Sequence, residues 1–328
     1  MSNEPLLYGG QAVIRGVMMR SPRFFSVACR RENGELRVRV ERIPLSKRPA
    51  FLGLPLVRGS LALFDAMHLG VKALMFSAGV AAEDIEEEEQ AKSKRAKKEV
   101  EAGRKNTSGA ITDIAIGGAL VTGLGMGVLL FIIFPHLVAG WIHSVGLMHN
   151  KLALNLVEGF IRVTFFIGYI LAIGRMKNIR EVFQYHGAEH RAINTFEADR
   201  PLTLEETRPF GRIHFRCGTN FMLIVLVLSI FVFSFLPWEG FIQRIGWRLA
   251  LLPLIAGMAY EALRFTSRRC HLGWIQKLVS PGLALQKLTT REPSDDQVEV
   301  ALEALRAVID AEEKGDEPQQ EEPAPAVA

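Results

Sequence analysis

The sequence has few cysteines and a small net charge. Its three cysteines, Cys29, Cys217 and Cys270, are an odd number at irregular spacing, which excludes a fully paired disulfide framework and favours reduced thiols. The net charge is only +4, so the chain lacks the broad basic field of a nucleic-acid-binding protein, and we expect no nucleic-acid partner. Near the start, arginines interrupt every apolar run, so no signal peptide is indicated and we expect the N-terminus to be retained.

Apolar residues, in contrast, are abundant and gathered in blocks. Hydrophobic residues make up 49% of the chain and charged residues 23%, a balance that points to a membrane protein in contact with a lipid bilayer. A helix needs about 20 apolar residues to cross roughly 30 Å of hydrocarbon, and four blocks reach this range. They are residues 112–140, 152–174, 218–236 and 247–263. We therefore predict an α-helical polytopic membrane protein with about four transmembrane helices.

A small β-rich soluble domain is predicted for residues 1–55. Branched and aromatic residues alternate with polar ones there, and the Asn33-Gly34 pair is typical of a two-residue hairpin turn. The other predicted segments are a charged cytoplasmic segment at 83–111, a four-helix transmembrane region at 112–263 that includes a cytoplasmic loop at 175–217, a cytoplasmic C-terminal segment at 264–314, and a disordered tail at 315–328. Ser294 and Gln297 form a capping box that begins an amphipathic helix in the C-terminal segment.

Residues 56–82 predict an amphipathic helix at the membrane interface. Arg58, Asp65 and Lys72 are seven residues apart and share one helical face. A transmembrane span is the alternative, and it is disfavoured because each charge at the bilayer centre costs about 2.5–3.5 kcal/mol.

Loop charge predicts the orientation of the spans. Lysine and arginine crowd the segment before the first span, the 175–216 loop and the chain after the fourth span. The alternate loops, 141–151 and 237–246, contain one lysine or arginine each, Lys151 and Arg244. Positively charged loops remain in the cytoplasm. We therefore expect both termini and the 175–216 loop on the cytoplasmic side.

The predicted cytoplasmic loop contains YHGAEHR at 185–191. On a helix, residues four apart lie on one face, so His186 and His190 could bind one ion, with Glu189 in the same arc. His-x-x-Glu-His is also the spacing of inverted zinc metalloproteases, in which the glutamate is the catalytic base. We predict this role for Glu189. Because the motif is short, a hydrated helix end at the membrane surface is the alternative.

Further donor residues meet the histidines at the same membrane face in the predicted topology. His214 and Cys217 precede the third span, and Glu261 ends the fourth. Imidazole, thiolate and carboxylate suit a divalent transition metal, zinc being the one expected. The predicted ligands are His186, His190, Glu261, Cys217 and His214. Among the last three, Glu261 is the expected third ligand.

Glu158 is an acidic residue inside the second predicted span, four residues before Arg162. Helical rise alone places it about 42 Å along the chain from His186, so it does not belong to the same site. We expect a buried ion pair, with a polar path across the membrane as the alternative.

Four stretches carry a resemblance to a known family. They are YGGQAVIRGVMMR near the start, VFQYHGAEHRAIN and IHFRCGTNF around the histidines, and PGLALQKLTTREPSDDQVEVALEAL near the end. The chain resembles the YqhQ-like family of uncharacterised bacterial membrane proteins, a domain of unknown function often labelled a predicted metal-dependent enzyme. The family usually has an acidic residue where this chain has Arg15. The resemblance implies a location in the bacterial cytoplasmic (inner) membrane and a metal site at His186 and His190, and it implies no substrate.

Two classes of function fit these features. The first is a metal-dependent enzyme at the cytoplasmic membrane face that hydrolyses a peptide, amide or lipid-linked bond. The second is a non-enzymatic membrane scaffold or assembly factor, in which the N-terminal β-domain or the C-terminal helix binds a protein partner and the histidines are structural. A metal with an open coordination position would favour the first, and a closed four-ligand site the second. A transporter is a third alternative, which would need Glu158 to line a polar path.

Overall fold

The chain begins with a four-stranded antiparallel sheet, which confirms the predicted β-rich N-terminal region. The computed structural model describes residues 8–44, 49–96, 118–119, 121–148, 150–236 and 240–315. The strands lie side by side in chain order: β1 (Gly9–Val13), β2 (Gly16–Arg20), β3 (Phe24–Arg30) and β4 (Leu36–Arg42). Each strand therefore pairs with its neighbour in sequence through a short hairpin connection.

Asn33 and Gly34 form the turn between β3 and β4, as predicted, but the turn is longer than the two-residue form. The Gly34 N–H donates to the Arg31 carbonyl at 3.0 Å, and the Arg31 N–H donates to the Glu35 carbonyl at 2.9 Å. Gly34 has a φ of 89°, a left-handed conformation that glycine adopts without steric cost. This is the three-residue hairpin, in which a turn is followed by a glycine bulge.

Helices form most of the remaining chain. They are α1 (Val57–Ala96), α2 (Val121–Ser144), α3 (Lys151–Ile173), α4 (Lys177–Glu197), α5 (Leu204–Thr207), α6 (Gly218–Ser234), α7 (Phe241–Ser267), α8 (Gly273–Thr289) and α9 (Asp295–Lys314), with a short 3-10 helix at Ala50–Gly53. The predicted capping box is present at the start of α9, where the Ser294 and Gln297 side chains each bond the other's backbone. The predicted tail at 315–328 lies outside the described residues apart from Gly315.

Within the described part of the chain, four helices are long and apolar enough to cross a membrane, as the predicted fold class requires. They are Val57–Ile85 in α1, Val121–Ser144, Leu152–Ile173 and Ile245–Ser267. The last three agree with predicted spans, although residues 112–117 are not described. The predicted span at 218–236 corresponds to α6, which is apolar but has only 17 residues. That length is at the lower limit for crossing a bilayer.

Helix α1 extends beyond its predicted end and into the predicted charged segment, because it is one helix of 40 residues. Its apolar part meets the criteria of length and composition for a span. Two features nevertheless link it to the sheet. Leu69 and Ala73 are buried against strand side chains, and Arg31 Nε donates to Asp84 Oδ1 at 2.8 Å. A helix held along a soluble sheet suits the membrane interface, and that placement stays a prediction.

The sheet is covered on both faces. One face, which includes Val17 and Met19, packs on α4 and α9, and the other, which includes Met18 and Val27, packs on α1. The predicted apolar face of α9 lies in the first of these contacts: Val298, Ala301, Leu302, Leu305 and Ile309. Each large apolar side chain buried in this way contributes about 1.5–3 kcal/mol. The packing fixes α4, and with it the two histidines, against β1 and β2.

A cluster of charged side chains is buried between α2, α3 and α7. Glu158 and Arg248 are each 1% exposed, and Arg248 Nη2 donates to Glu158 Oε2 at 2.6 Å. Arg162 Nη2 donates to Glu158 Oε1 at 3.0 Å, which is the ion pair that the sequence predicts. His136 Nδ1 is 3.4 Å from the same carboxylate. One carboxylate therefore lies among two arginines and a histidine.

Pro135 explains how α2 contributes a backbone group to this cluster. Proline has no N–H, so the carbonyl of Phe131, four residues earlier, loses its usual helical donor. Helix α2 forms a π-helical turn at this point, Leu129–Ile133. Arg162 Nε donates to the Phe131 carbonyl at 2.8 Å. The contact between Arg162 and the Phe131 carbonyl therefore depends on an irregularity of helix α2. Neither the charge nor the hydropathy of the sequence indicates this irregularity.

Candidate metal centre

Helix α4 presents His186 and His190 side by side, with their ring centroids 4.5 Å apart. His186 Nδ1 is 2.9 Å from the Thr289 carbonyl, and His190 Nδ1 is 2.7 Å from the Arg212 carbonyl. A carbonyl only accepts, so each Nδ1 must carry the proton. Each Nε2 is then left with a free lone pair. This tautomer, fixed by a backbone carbonyl behind the ring, is the arrangement typical of metal-binding histidines.

Cys217 supplies a third donor from the start of α6. Its Sγ accepts from the Thr219 N–H at 3.3 Å, which makes it the N-cap of the helix. The same sulfur is 3.3 Å from His186 Nε2. One ligand atom from each of His186, His190 and Cys217 lies within 4.8 Å of the other two. Donors that share one zinc ion are roughly 3–4 Å apart, so a small rotamer adjustment would close the site.

Glu189 is buried beside these donors. Its Oε2 is 3.4 Å from His190 Nε2. Burial raises the pKa of the Glu189 carboxyl above its usual range and lowers the pKa of His190 below its usual range. The histidine is therefore kept neutral, as a metal ligand must be. The Glu189 carboxylate is close to the three donors but is not one of them.

His214 lies next to the three donors without joining them. Its ring centroid is 5.8 Å from that of His190, and its Nε2 is 3.3 Å from Glu197 Oε2. Burial lowers the pKa of His214, which favours the neutral ring that donates to this carboxylate. Arg216 pairs with the other oxygen of Glu197. The structure thus gives His214 a supporting position at the edge of the site.

The structure does not bring Glu261, the expected third ligand, to this group. Both of its oxygens accept from Arg58, from Nε and Nη2, at 2.6 Å each. This ion pair joins the start of α1 to the last turns of α7. The sequence places Glu261 at the right depth, but depth along a helix does not determine the direction in which a side chain points. The donor that lies beside the two histidines is Cys217 instead.

The donors line a cavity of about 160 Å³ between the sheet and the helices. The sheet's part in this site is not predicted by the sequence. Gly10 in β1 lies so close to α4 that a Cβ there would be 2.9 Å from Glu189 Cγ, and its backbone acts to lower the pKa of that carboxyl, against the larger effect of burial. The Gly9-Gly10 pair was the available signal, because glycine in a strand often marks a close approach.

Gly187, between the two histidines, permits another close approach. A Cβ at this position would lie 2.1 Å from the Arg291 carbonyl oxygen. We therefore expect Gly187→Ala to push α4 away from the segment that follows Thr289, and to lower the free energy of unfolding by about 1–3 kcal/mol. Thermal unfolding in detergent measures this effect. Gly168→Ala in α3 is the control, because a Cβ there meets nothing within 4 Å. Equal stability of the two variants would contradict the close packing.

Comparisons with known proteins identify relatives but no activity. A family model described as "Protein of unknown function (DUF1385)" matches residues 54–311. The uncharacterized protein YqhQ of Bacillus subtilis (strain 168) is 31% identical over 308 residues, which cover 93% of each chain. No solved structure matches. The matched regions include all three donors and Glu189.

Proposed function

Because the chain belongs to the DUF1385 family, whose description gives no activity, we propose from the site itself that this protein is a metal-dependent hydrolase of a bacterial inner membrane. The observation that carries the proposal is the convergence of His186, His190 and Cys217 on one point from α4 and α6. Two imidazoles and a thiolate are ligands that zinc prefers. Three protein ligands, with a fourth position left open, are typical of catalytic rather than structural zinc.

The chain's own residues divide the work of such a site. His186 and His190 would hold the ion through Nε2, and the carbonyls behind them fix the orientation of the rings. A bound zinc ion supplies Lewis acidity. Glu189 Oε2, 3.4 Å from His190 Nε2, takes a proton from a water molecule in the cavity. The raised pKa of Glu189 makes it a stronger base for this step than an exposed glutamate.

The membrane side of the site follows from its position on the helices. Cys217 lies at the first turn of the apolar helix α6, and the 175–216 segment before it is rich in arginine. Positively charged segments remain in the cytoplasm. We therefore place the cavity, and both termini, on the cytoplasmic face.

The alternative is a membrane scaffold that binds a partner through the β-domain or through α9. Two packing contacts disfavour the scaffold function. The apolar face of α9 is already buried against the sheet, and the opposite face of the sheet is covered by α1. These two apolar surfaces are therefore occupied by the chain itself. In a scaffold, a structural metal site would have four protein ligands, whereas three donors lie together here.

Cobalt spectroscopy distinguishes the two functions. In full-length protein loaded with Co²⁺, we expect a thiolate-to-cobalt charge-transfer band that Cys217→Ser abolishes and Cys270→Ser retains. Among the described residues, Cys217 is the cysteine that groups with the histidines. Adding acetohydroxamate should shift the visible cobalt bands, because an open position accepts a new ligand. Bands that do not respond to acetohydroxamate would indicate a closed site, and the enzyme proposal would fail.

A further inference from the structure

The cavity that contains the metal donors also has two arginines in its wall. Arg20 stands at the end of β2, and Arg216 immediately precedes Cys217. The charge of Arg216 is matched by Glu197. Arg20 is partly exposed, and its side chain forms no hydrogen bond or ion pair with any residue in the described ranges. An arginine at a cavity wall without a partner is available to a ligand.

The balance of charge favours an anionic ligand. Once a divalent ion is bound, the positive groups are the ion, Arg20 and Arg216, with four charges in total. The negative groups at or beside the cavity are the Cys217 thiolate, Glu189 and Glu197, with three. One positive charge remains unmatched in a site that is partly shielded from water. Unpaired charge in such a site is costly, and a bound anion compensates for it.

Resting on the hydrolase function proposed above, we infer that the substrate carries a phosphate group, and that Arg20 binds it beside the metal donors. The planar guanidinium matches phosphate oxygens through two parallel hydrogen bonds. A cavity of about 160 Å³ admits a group of this size but not a whole lipid or peptide. The rest of the substrate must therefore lie outside the cavity. A lipid headgroup and a soluble phosphate ester share this chemistry.

Titration calorimetry of the full-length protein in a neutral detergent tests the inference, with inorganic phosphate as the probe. We expect wild type to bind phosphate and Arg20→Met to bind it roughly 10–100-fold more weakly, the usual effect of losing a charge-assisted contact. Arg20→Lys should have an intermediate affinity, since the charge is kept and the planar fork is lost. The matched control is Arg208→Met, an exposed arginine whose carboxylate partner is Asp295. It should bind phosphate like wild type.

Two further measurements assign the source of the phosphate and separate this inference from the hydrolase proposal. Tighter binding of dihexanoyl phosphatidic acid than of glycerol phosphate would support a lipid substrate, and equal binding a soluble one. Metal content is measured on the same samples. Phosphate binding that depends on Arg20 in a protein without metal would support this inference while the hydrolase proposal fails. Wild type that binds none of the probes, or Arg20→Met that binds like wild type, would overturn the inference.

Discussion

Replacing both His186 and His190 by alanine should reduce bound zinc from one ion per chain to a background value of roughly a tenth or less. Altering only the partner behind a ligand typically weakens metal binding by about 10–100-fold. The double variant removes two of the three donors outright, and Cys217 alone cannot hold an ion. Elemental analysis of detergent-purified protein gives the stoichiometry directly.

The control for this experiment is a double variant of two exposed histidines, His68→Ala/His271→Ala. It removes the same number of imidazoles and leaves the candidate centre intact, so it should keep its zinc. Wild type that purifies without stoichiometric metal, even after incubation with zinc, would refute the metal site. Equal zinc in the two double variants would refute the assignment of the ligands.

The second large effect is expected in the buried charged cluster. Arg248→Leu removes the guanidinium that contacts both oxygens of Glu158. The carboxylate is then left buried with incomplete compensation, which typically costs about 3–5 kcal/mol. We expect the free energy of unfolding to fall by an amount near the lower end of this range. Arg162 still pairs with the carboxylate and reduces the loss. Unfolding in mixed detergent micelles at increasing fractions of sodium dodecyl sulfate measures it.

A double variant shows whether the loss is electrostatic. Glu158→Gln alone leaves two buried guanidinium groups without their carboxylate, and Glu158→Gln/Arg248→Leu leaves only that of Arg162. The double variant should therefore be more stable than Glu158→Gln alone. The control Arg175→Leu deletes an exposed arginine whose side chain donates to a carbonyl at the end of α3, and it should have little effect. If the double variant were no more stable than Glu158→Gln, the loss would be one of packing and the paired-charge account would be wrong.

Features set by local spacing could be predicted from the sequence. The capping box of α9, the turn at Gly34 and the shared face of His186 and His190 each depend on residues within one or two turns of chain. The predicted topology also brings Cys217 to the same membrane face as the histidines. These predictions agree with the structure because no distant contact competes with them.

Features set by distant contacts could not be predicted in the same way. The sequence predicts Glu261 as a metal ligand, but its carboxylate pairs with Arg58, 203 residues away in sequence. The sheet's contribution through Gly10 and Arg20 depends on which strand edge docks on α4, and alternation along a strand does not specify this. Helix α1 has the composition of a membrane span and also packs on the sheet. Hydropathy alone therefore does not determine whether α1 crosses the membrane or lies at its surface.

The charged cluster also constrains how the protein is made. Glu158 and Arg248 are separated by 90 residues, so α3 leaves the ribosome well before α7 exists. At about 5–20 residues per second, that interval is roughly 5–18 s. During it, the helix that enters the membrane carries a carboxylate whose final partner has not been synthesised. Arg162, one turn away on the same helix, is the only arginine of the cluster then available. The pairing within α3 therefore lowers the cost of membrane insertion as well as stabilising the finished fold.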